Sequence, residues 1–276
     1  MRTIAVVAQK GGQGKTTSVL SMAAHLAGQG SRVLVVDVDT QANSSYVLLR
    51  GADPRRPALA EVLSGDASAD DAIVKTSLDG VSLLPADSSL AEVNVNLAGE
   101  VGRENRLRAA FAEMTTPFDV CLLDTGPTRS LLTSNVLNAV GEVVVPISPG
   151  VFGVLGLEQL RADMALVRKF LDNKALTLAG VFLVMMERTT VCRDFEKGIR
   201  ESLGDLVLRT TIPRSVKFEE ANARQCSIFE HAPKSAGAIA YEALTLEVLN
   251  RGHGKAKRNA PRNLPINRPS RSAAGG

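Results

Sequence analysis

The apolar run Ile4-Ala5-Val6-Val7 passes through Ala8-Gln9 directly into Lys10-Gly11-Gly12-Gln13-Gly14-Lys15-Thr16-Thr17, and a segment with helical spacing begins at about residue 15. Few local sequences restrict a fold so strongly. Glycines let successive backbone amides curl around phosphate oxygens with no Cβ in the way. Lys15 adds a point charge near the outer phosphates, and Thr16 can offer a hydroxyl to Mg²⁺. The helix that follows points the positive end of its dipole at the same anion. A flexible turn would need neither the second lysine nor the threonine, and the complete motif stands between a strand and a helix, which is the context that confirms it.

A loop of this kind belongs to an α/β protein, and the rest of the chain follows suit. Short runs rich in Val, Ile and Leu recur at 3–8, 32–38, 81–84, 118–124, 142–148 and 178–186, separated by segments of helical spacing such as 15–28, 103–114, 129–139 and 154–172. That alternation predicts a doubly wound, mostly parallel sheet with helices on both faces, in one domain over about residues 1–250. Aromatic residues are only 4 % of the chain and Trp is absent, so the core is expected to be aliphatic. The turn-rich segments 51–57 and 64–71 are expected to form loops around a short helix. No stretch approaches the roughly 18 uninterrupted apolar residues of a membrane span, and the first residues carry no signal-peptide pattern. A cytoplasmic protein is expected.

Charge is distributed unevenly. The net charge of +3 divides into a body with 25 basic against 29 acidic residues and a tail, 251–276, with seven cations and no acid. The tail is rich in Gly, Pro, Asn, Ser and Arg without apolar periodicity, so it is expected to be disordered. Cys121, Cys192 and Cys226 are scattered and form no CxxC pair, which signals neither a disulfide framework nor a metal knuckle. His25, His231 and His253 stand in no Ser-His-Asp arrangement and are read as non-catalytic.

Two further acidic stretches fit a phosphate site. Asp37-Val38-Asp39-Thr40-Gln41 closes an apolar strand, where the ligand crevice of an open α/β sheet lies, so a carboxylate there can orient an attacking water or the shell of a metal; a helix cap is the alternative. Phe118-Asp119-Val120-Cys121-Leu122-Leu123-Asp124 is an apolar strand ending in an acid, the general form of a Walker B element, in which Asp124 would hold Mg²⁺ through water. Lys10 is left over. As an isolated residue it reads equally well as a solvated cation.

The stretch AQKGGQGKTT resembles the deviant phosphate loop of the ParA and MinD class of ATPases, and the chain is similar to the small, Soj-like ParA partition ATPases. The likeness continues through Asp124-Thr125-Gly126-Pro127, through PISPGVFGVLGLEQL at 146–160, and through the segment from Ile212 to Leu249. It implies that Lys10 reaches across a nucleotide-sandwich homodimer to the partner's phosphates. It makes Lys10, Lys15 and Asp39 the catalytic set, with Asp39 positioning the hydrolytic water and Asp37 bracing the loop. ATP would be held by Lys10, Gly11, Gly12, Gln13, Gly14, Lys15, Thr16, Thr17 and Asp39, with Pro213 and Arg214 beside the adenine, and Mg²⁺ by Thr16 and Asp124. Lys234–Leu249 would form the closing helix. Three positions depart from the family pattern: Thr40 stands for a proline, Ala42 for a glycine, and Gly126 for the first proline of the turn after Asp124.

The resemblance also implies nonspecific DNA binding by the ATP dimer, for which Arg193, Lys197, Arg200, Arg209, Arg214, Lys217 and Arg224 are candidates, and a stimulating ParB-like partner or adaptor. The protein would then be nucleoid-associated, moving a plasmid, a chromosomal origin or a protein assembly such as a microcompartment. With only nine residues before Lys10, no N-terminal DNA-reading domain is expected. The tail is a second polyanion candidate, or a solubilising extension. Its prolines argue against the amphipathic helix of a MinD-like membrane ATPase, and the scattered cysteines against an iron–sulfur carrier. A metabolic ATP-dependent ligase on the same fold is the remaining alternative.

Overall fold

The computed structural model describes residues 1–150 and 152–255. The chain runs β1 (Arg2–Val6), α1 (Lys15–Gly28), β2 (Val33–Val38), α2 (Asn43–Leu48), α3 (Leu59–Ser64), α4 (Ala69–Ala72), β3 (Val74–Lys75), β4 (Val81–Leu84), α5 (Leu90–Asn96) and α6 (Arg106–Glu113). It continues through β5 (Val120–Thr125), α7 (Leu131–Ala139), β6 (Glu142–Ile147), α8 (Phe152–Phe170), β7 (Thr177–Met186), α9 (Thr190–Leu203), β8 (Val207–Pro213), α10 (Val216–Ala223), α11 (Ile228–His231) and α12 (Ala236–Lys255).

The strands form one sheet in the order β3-β4-β2-β5-β1-β6-β7-β8, parallel throughout except for β3. The expected doubly wound architecture is therefore present. Because neighbouring residues of a strand face opposite sides, β1 divides its side chains between two cores. Ile4 and Val6 pack with Val19, Met22 and Leu26 of α1 and with Tyr241, Leu244 and Val248 of α12. Ala5 packs on the other side with residues of α3, α5, α7 and α8 such as Leu63, Leu90, Val136 and Leu160.

The topology places the loops. Although β5 follows β4 in sequence, it enters the sheet between β2 and β1, so the carboxyl ends of β1, β2 and β5 lie side by side. The chain order reverses here, with β6 taking the opposite flank of β1, and such switch points are where open α/β sheets leave a crevice. Register is tight: Asp124 pairs with Val6 on one side and Asp37 on the other. Thr125 Oγ1 adds a 2.9 Å hydrogen bond to the Val6 carbonyl.

The segment after Asn250 differs in part from expectation. Arg251–Lys255 continue α12, and the remainder of the basic tail, from residue 256, lies outside the described residues. The cysteines are free, with Cys121 and Cys192 buried.

Candidate nucleotide site at the sheet switch point

The loop from Val7 to Gly14 leaves the end of β1 and enters α1 with Gly12 and Gly14 at φ of 72° and 69°. Only glycine takes the left-handed region without strain, which accounts for these two positions. Gly14 caps α1 without a side-chain hydrogen bond, so the first amides of the helix are left for a ligand. Gln13 is buried, and its Oε1 accepts a 2.9 Å hydrogen bond from the Ser148 amide after β6, which fixes the loop against the neighbouring strand.

The two lysines of the loop have opposite surroundings. Lys15 is 7 % exposed, and burial pulls its pKa down while the carboxylates of Asp124 and Asp39 oppose the shift. Lys10 is exposed at the rim, where it lines a cavity of about 520 Å³ with Gln13, Pro146, Leu157 and Leu160. A second cavity of about 330 Å³ lies beside Asp39, between the loops that follow β2 and β5.

Asp124 is fully buried at the meeting point of these elements. Its Oδ2 accepts 2.7 Å hydrogen bonds from Thr16 Oγ1 and from Ser44 Oγ, while its Oδ1 is buried with no hydrogen-bond partner among the described residues. Burial raises the Asp124 pKa against the pull of Thr16, Ser44 and Lys15. A buried carboxylate oxygen with no partner is costly, and together with the adjacent Thr16 hydroxyl it forms a hard-oxygen donor set suited to Mg²⁺ or its water shell. The residues present therefore fit the metal.

Asp37 lies in register with Asp124 and is also fully buried; burial, then the charge of Asp124, raise its pKa. Its Oδ2 accepts from the Ser45 amide at 2.7 Å and the Ser45 hydroxyl at 2.8 Å, and its Oδ1 from the Asp39 amide at 3.2 Å. Asp37 thus braces the loop from residue 39 to 45. Asp39 is 7 % exposed, and its Oδ1 accepts a 3.0 Å hydrogen bond from the Gln41 amide, a local turn that orders the loop around Thr40. At Gly126 a Cβ would lie 3.4 Å from Asp39 Oδ1, so the turn after β5 passes close to this carboxylate.

The loop, Asp37, Asp39 and Asp124 are thus brought together. Pro213 and Arg214 lie along the same edge of the sheet but three strands from β1, roughly 14 Å at ordinary strand spacing. Pro213 pairs with Met186, the Arg214 amide bonds the Met186 carbonyl, and the Arg214 guanidinium meets Glu187 at 2.9 Å. Sequence reasoning did not find Ser44. Its role depends on β5 standing beside β2, and nothing in the local sequence reveals that adjacency.

A family model described as an AAA domain matches residues 1–178. The chromosome partitioning protein ParA of Caulobacter vibrioides is 37 % identical over 254 residues, covering 91 % of this chain and 95 % of that protein. The chain belongs to the ParA/Soj family of partition ATPases. The sporulation initiation inhibitor protein Soj of Bacillus subtilis, 35 % identical over 253 residues, covers 91 % of this chain and is itself covered over 99 % of its length. Among solved structures, a Mycobacterium smegmatis protein described as cobyrinic acid a,c-diamide synthase, with bound ADP and magnesium, superposes with a TM-score of 0.78 at 34 % identity, over 96 % of this chain and all of that one. Apo McdA of Cyanothece shares the fold with a TM-score of 0.79 at 22 % identity, over 90 % of this chain and 99 % of that one. Among the described residues no helix is long and apolar enough to cross a membrane.

Proposed function

We propose that the protein is a Mg²⁺-dependent ATPase that pairs face to face around two ATP molecules, holds DNA nonspecifically while paired, and lets go when a ParB-like partner or adaptor accelerates hydrolysis. The observation that carries this reading is the contrast between the two lysines of one loop. Lys15 is buried between carboxylates, where it can meet the phosphates of its own subunit, and Lys10 stands at the rim, where it can reach those of another.

In this reading the amides of Gly11 to Thr17 wrap the phosphates, with Gln13 holding the loop in place. Thr16 and Asp124 would hold Mg²⁺, which when bound neutralises the charge that develops on the phosphoryl oxygens. Asp39 orients the attacking water, and Asp37 keeps that loop in place. Pro213 and Arg214 flank the adenine. The protein's contribution is positioning and electrostatics, so hydrolysis by the isolated ATPase is slow.

Local bonding separates the DNA candidates. Arg200 is half-buried, pairs with Glu196 and donates to the Leu208 and Arg209 carbonyls, which commits it to holding β8. Arg214 is paired with Glu187 and Lys217 with Glu220. Lys197 has only a long 3.9 Å contact with Glu201, and Arg193, Arg209 and Arg224 are exposed, so these four are the better candidates for phosphate contacts. A cytoplasmic, nucleoid-associated protein follows, with a plasmid, a chromosomal origin or a protein assembly as cargo.

The metabolic alternative gains support from the M. smegmatis protein, whose description is that of an amide-forming synthase. Retention on plasmid DNA separates the two readings. An ATP-dependent, salt-sensitive retention that Asp39→Ala prolongs supports partition. Retention indifferent to ATP, with turnover driven by a small carboxylic acid and an amide donor, overturns it.

A further inference from the structure

Tyr241 of α12 heads the large side chains that the fold buries completely, and it places a hydroxyl where an apolar ring would pack as well. That hydroxyl lies 2.9 Å from Ser18 Oγ, which in turn lies 2.7 Å from the Gly14 carbonyl. The proton positions follow from the inventory of donors. A carbonyl can only accept, so the single Ser18 hydroxyl proton is committed to Gly14, and Tyr241 must donate to Ser18. The Ser18 amide bonds the same carbonyl at 2.9 Å, so the Gly14 oxygen receives two donors for its two lone pairs.

The Gly14 carbonyl shares a rigid plane with the Lys15 amide, whose N–H points the opposite way in a trans peptide. Pinning the carbonyl along the helix therefore aims the Lys15 N–H out of the helix end, toward the phosphate position. A serine bonding back one turn is common in helices; a buried tyrosine fixing that serine from another helix is an addition. Tyr241 has little freedom to do otherwise. Phe218 of α10 meets its ring edge-on at 5.5 Å, and a Cβ on Gly237 would lie 2.5 Å from Phe218, so glycine is what admits that ring.

We propose that Tyr241 is a positioning residue for the nucleotide site, acting through Ser18 on the Gly14–Lys15 peptide of the phosphate loop. The inference rests on the reading that this loop holds nucleotide phosphates.

The test is titration of a fluorescent ADP analogue with Mg²⁺ into the full chain, for Tyr241→Phe, Ser18→Ala and the double variant. Thr245→Val serves as control, because Thr245 is a fully buried α12 residue whose hydroxyl bonds within its own helix, to the Tyr241 carbonyl. Loss of one neutral hydrogen bond predicts Kd raised about fivefold in each single variant. The second substitution should then add less than twofold, and the KM for ATP should rise with little change in kcat. Thr245→Val should lower the melting temperature and leave Kd unchanged. Phosphorus NMR of bound ADP should show the β-phosphate resonance displaced in Tyr241→Phe. Kd within twofold of wild type in Tyr241→Phe, equal weakening by Thr245→Val, or additive effects would each overturn the proposal. A wild type that does not bind the analogue would instead overturn the phosphate-loop reading on which it depends.

Discussion

Thr16 Oγ1 donates a 2.7 Å hydrogen bond to Asp124 Oδ2, tying the first turn of α1 to the end of β5, while the other Asp124 oxygen is buried without a partner among the described residues. Two strands that enter the sheet 118 residues apart in the chain, β1 and β5, are adjacent, and this contact sits where their loops converge.

Removal of metal tests the contact directly. ADP affinity of the wild type should fall at least tenfold when Mg²⁺ is chelated. Asp124→Asn should bind ADP weakly and almost equally with and without Mg²⁺, as measured by calorimetry. An undiminished Mg²⁺ dependence in that variant would remove Asp124 from the metal site.

Ala42, where the resemblance implies a glycine, takes φ of 51° and caps α2, the helix that presents Ser44 to Asp124. A left-handed alanine costs about 1–2 kcal/mol and glycine about 0.5–1 kcal/mol of entropy, so Ala42→Gly should gain roughly 0.5–1 kcal/mol. Thermal unfolding should shift upward by about 1–3 °C. A lower melting temperature would show that the loop relaxes around alanine.

His25 of α1 is 8 % exposed, its Nε2 has no hydrogen-bond partner among the described residues, and its ring packs at 5.8 Å from Phe229 of α11. Burial lowers its pKa below 6.5, with Glu242 of α12 opposing the shift. Below that pH the unfolded chain binds the proton that the folded one resists, so stability falls as pH drops through 6.5 and toward the lower folded value. His25→Leu should flatten the melting temperature between about pH 7 and pH 5 relative to wild type. Parallel curves would assign the acid limb to other groups.

The loop, α1 and the strands β2 and β5, which carry the chain to Asp39 and Asp124, were legible because apolar runs and glycines act locally. β8 was not among the apolar runs. It is an edge strand whose middle, Arg209-Thr210-Thr211, is polar and exposed or half-exposed between the buried Leu208 and Ile212, and Glu247 accepts from the Arg209 and Thr210 amides. β3 has two residues, too few for any period. Ser44 and Tyr241 were invisible for another reason: each acts across an adjacency created only when distant segments pack. Lys10 is the opposite case, since its significance came from resemblance, and the fold supplies its exposed place at the rim.

The proposed action of Lys10 on a second subunit is tested most directly by mass measurement in solution. With ATP and Mg²⁺, wild type and Asp39→Ala should run as dimers by multi-angle light scattering and as monomers with ADP. Lys10→Ala should stay monomeric while still binding ATP, whereas Lys15→Ala should lose ATP itself. A Lys10→Ala protein that dimerises normally with ATP, or a wild type that remains monomeric when loaded, would contradict the account.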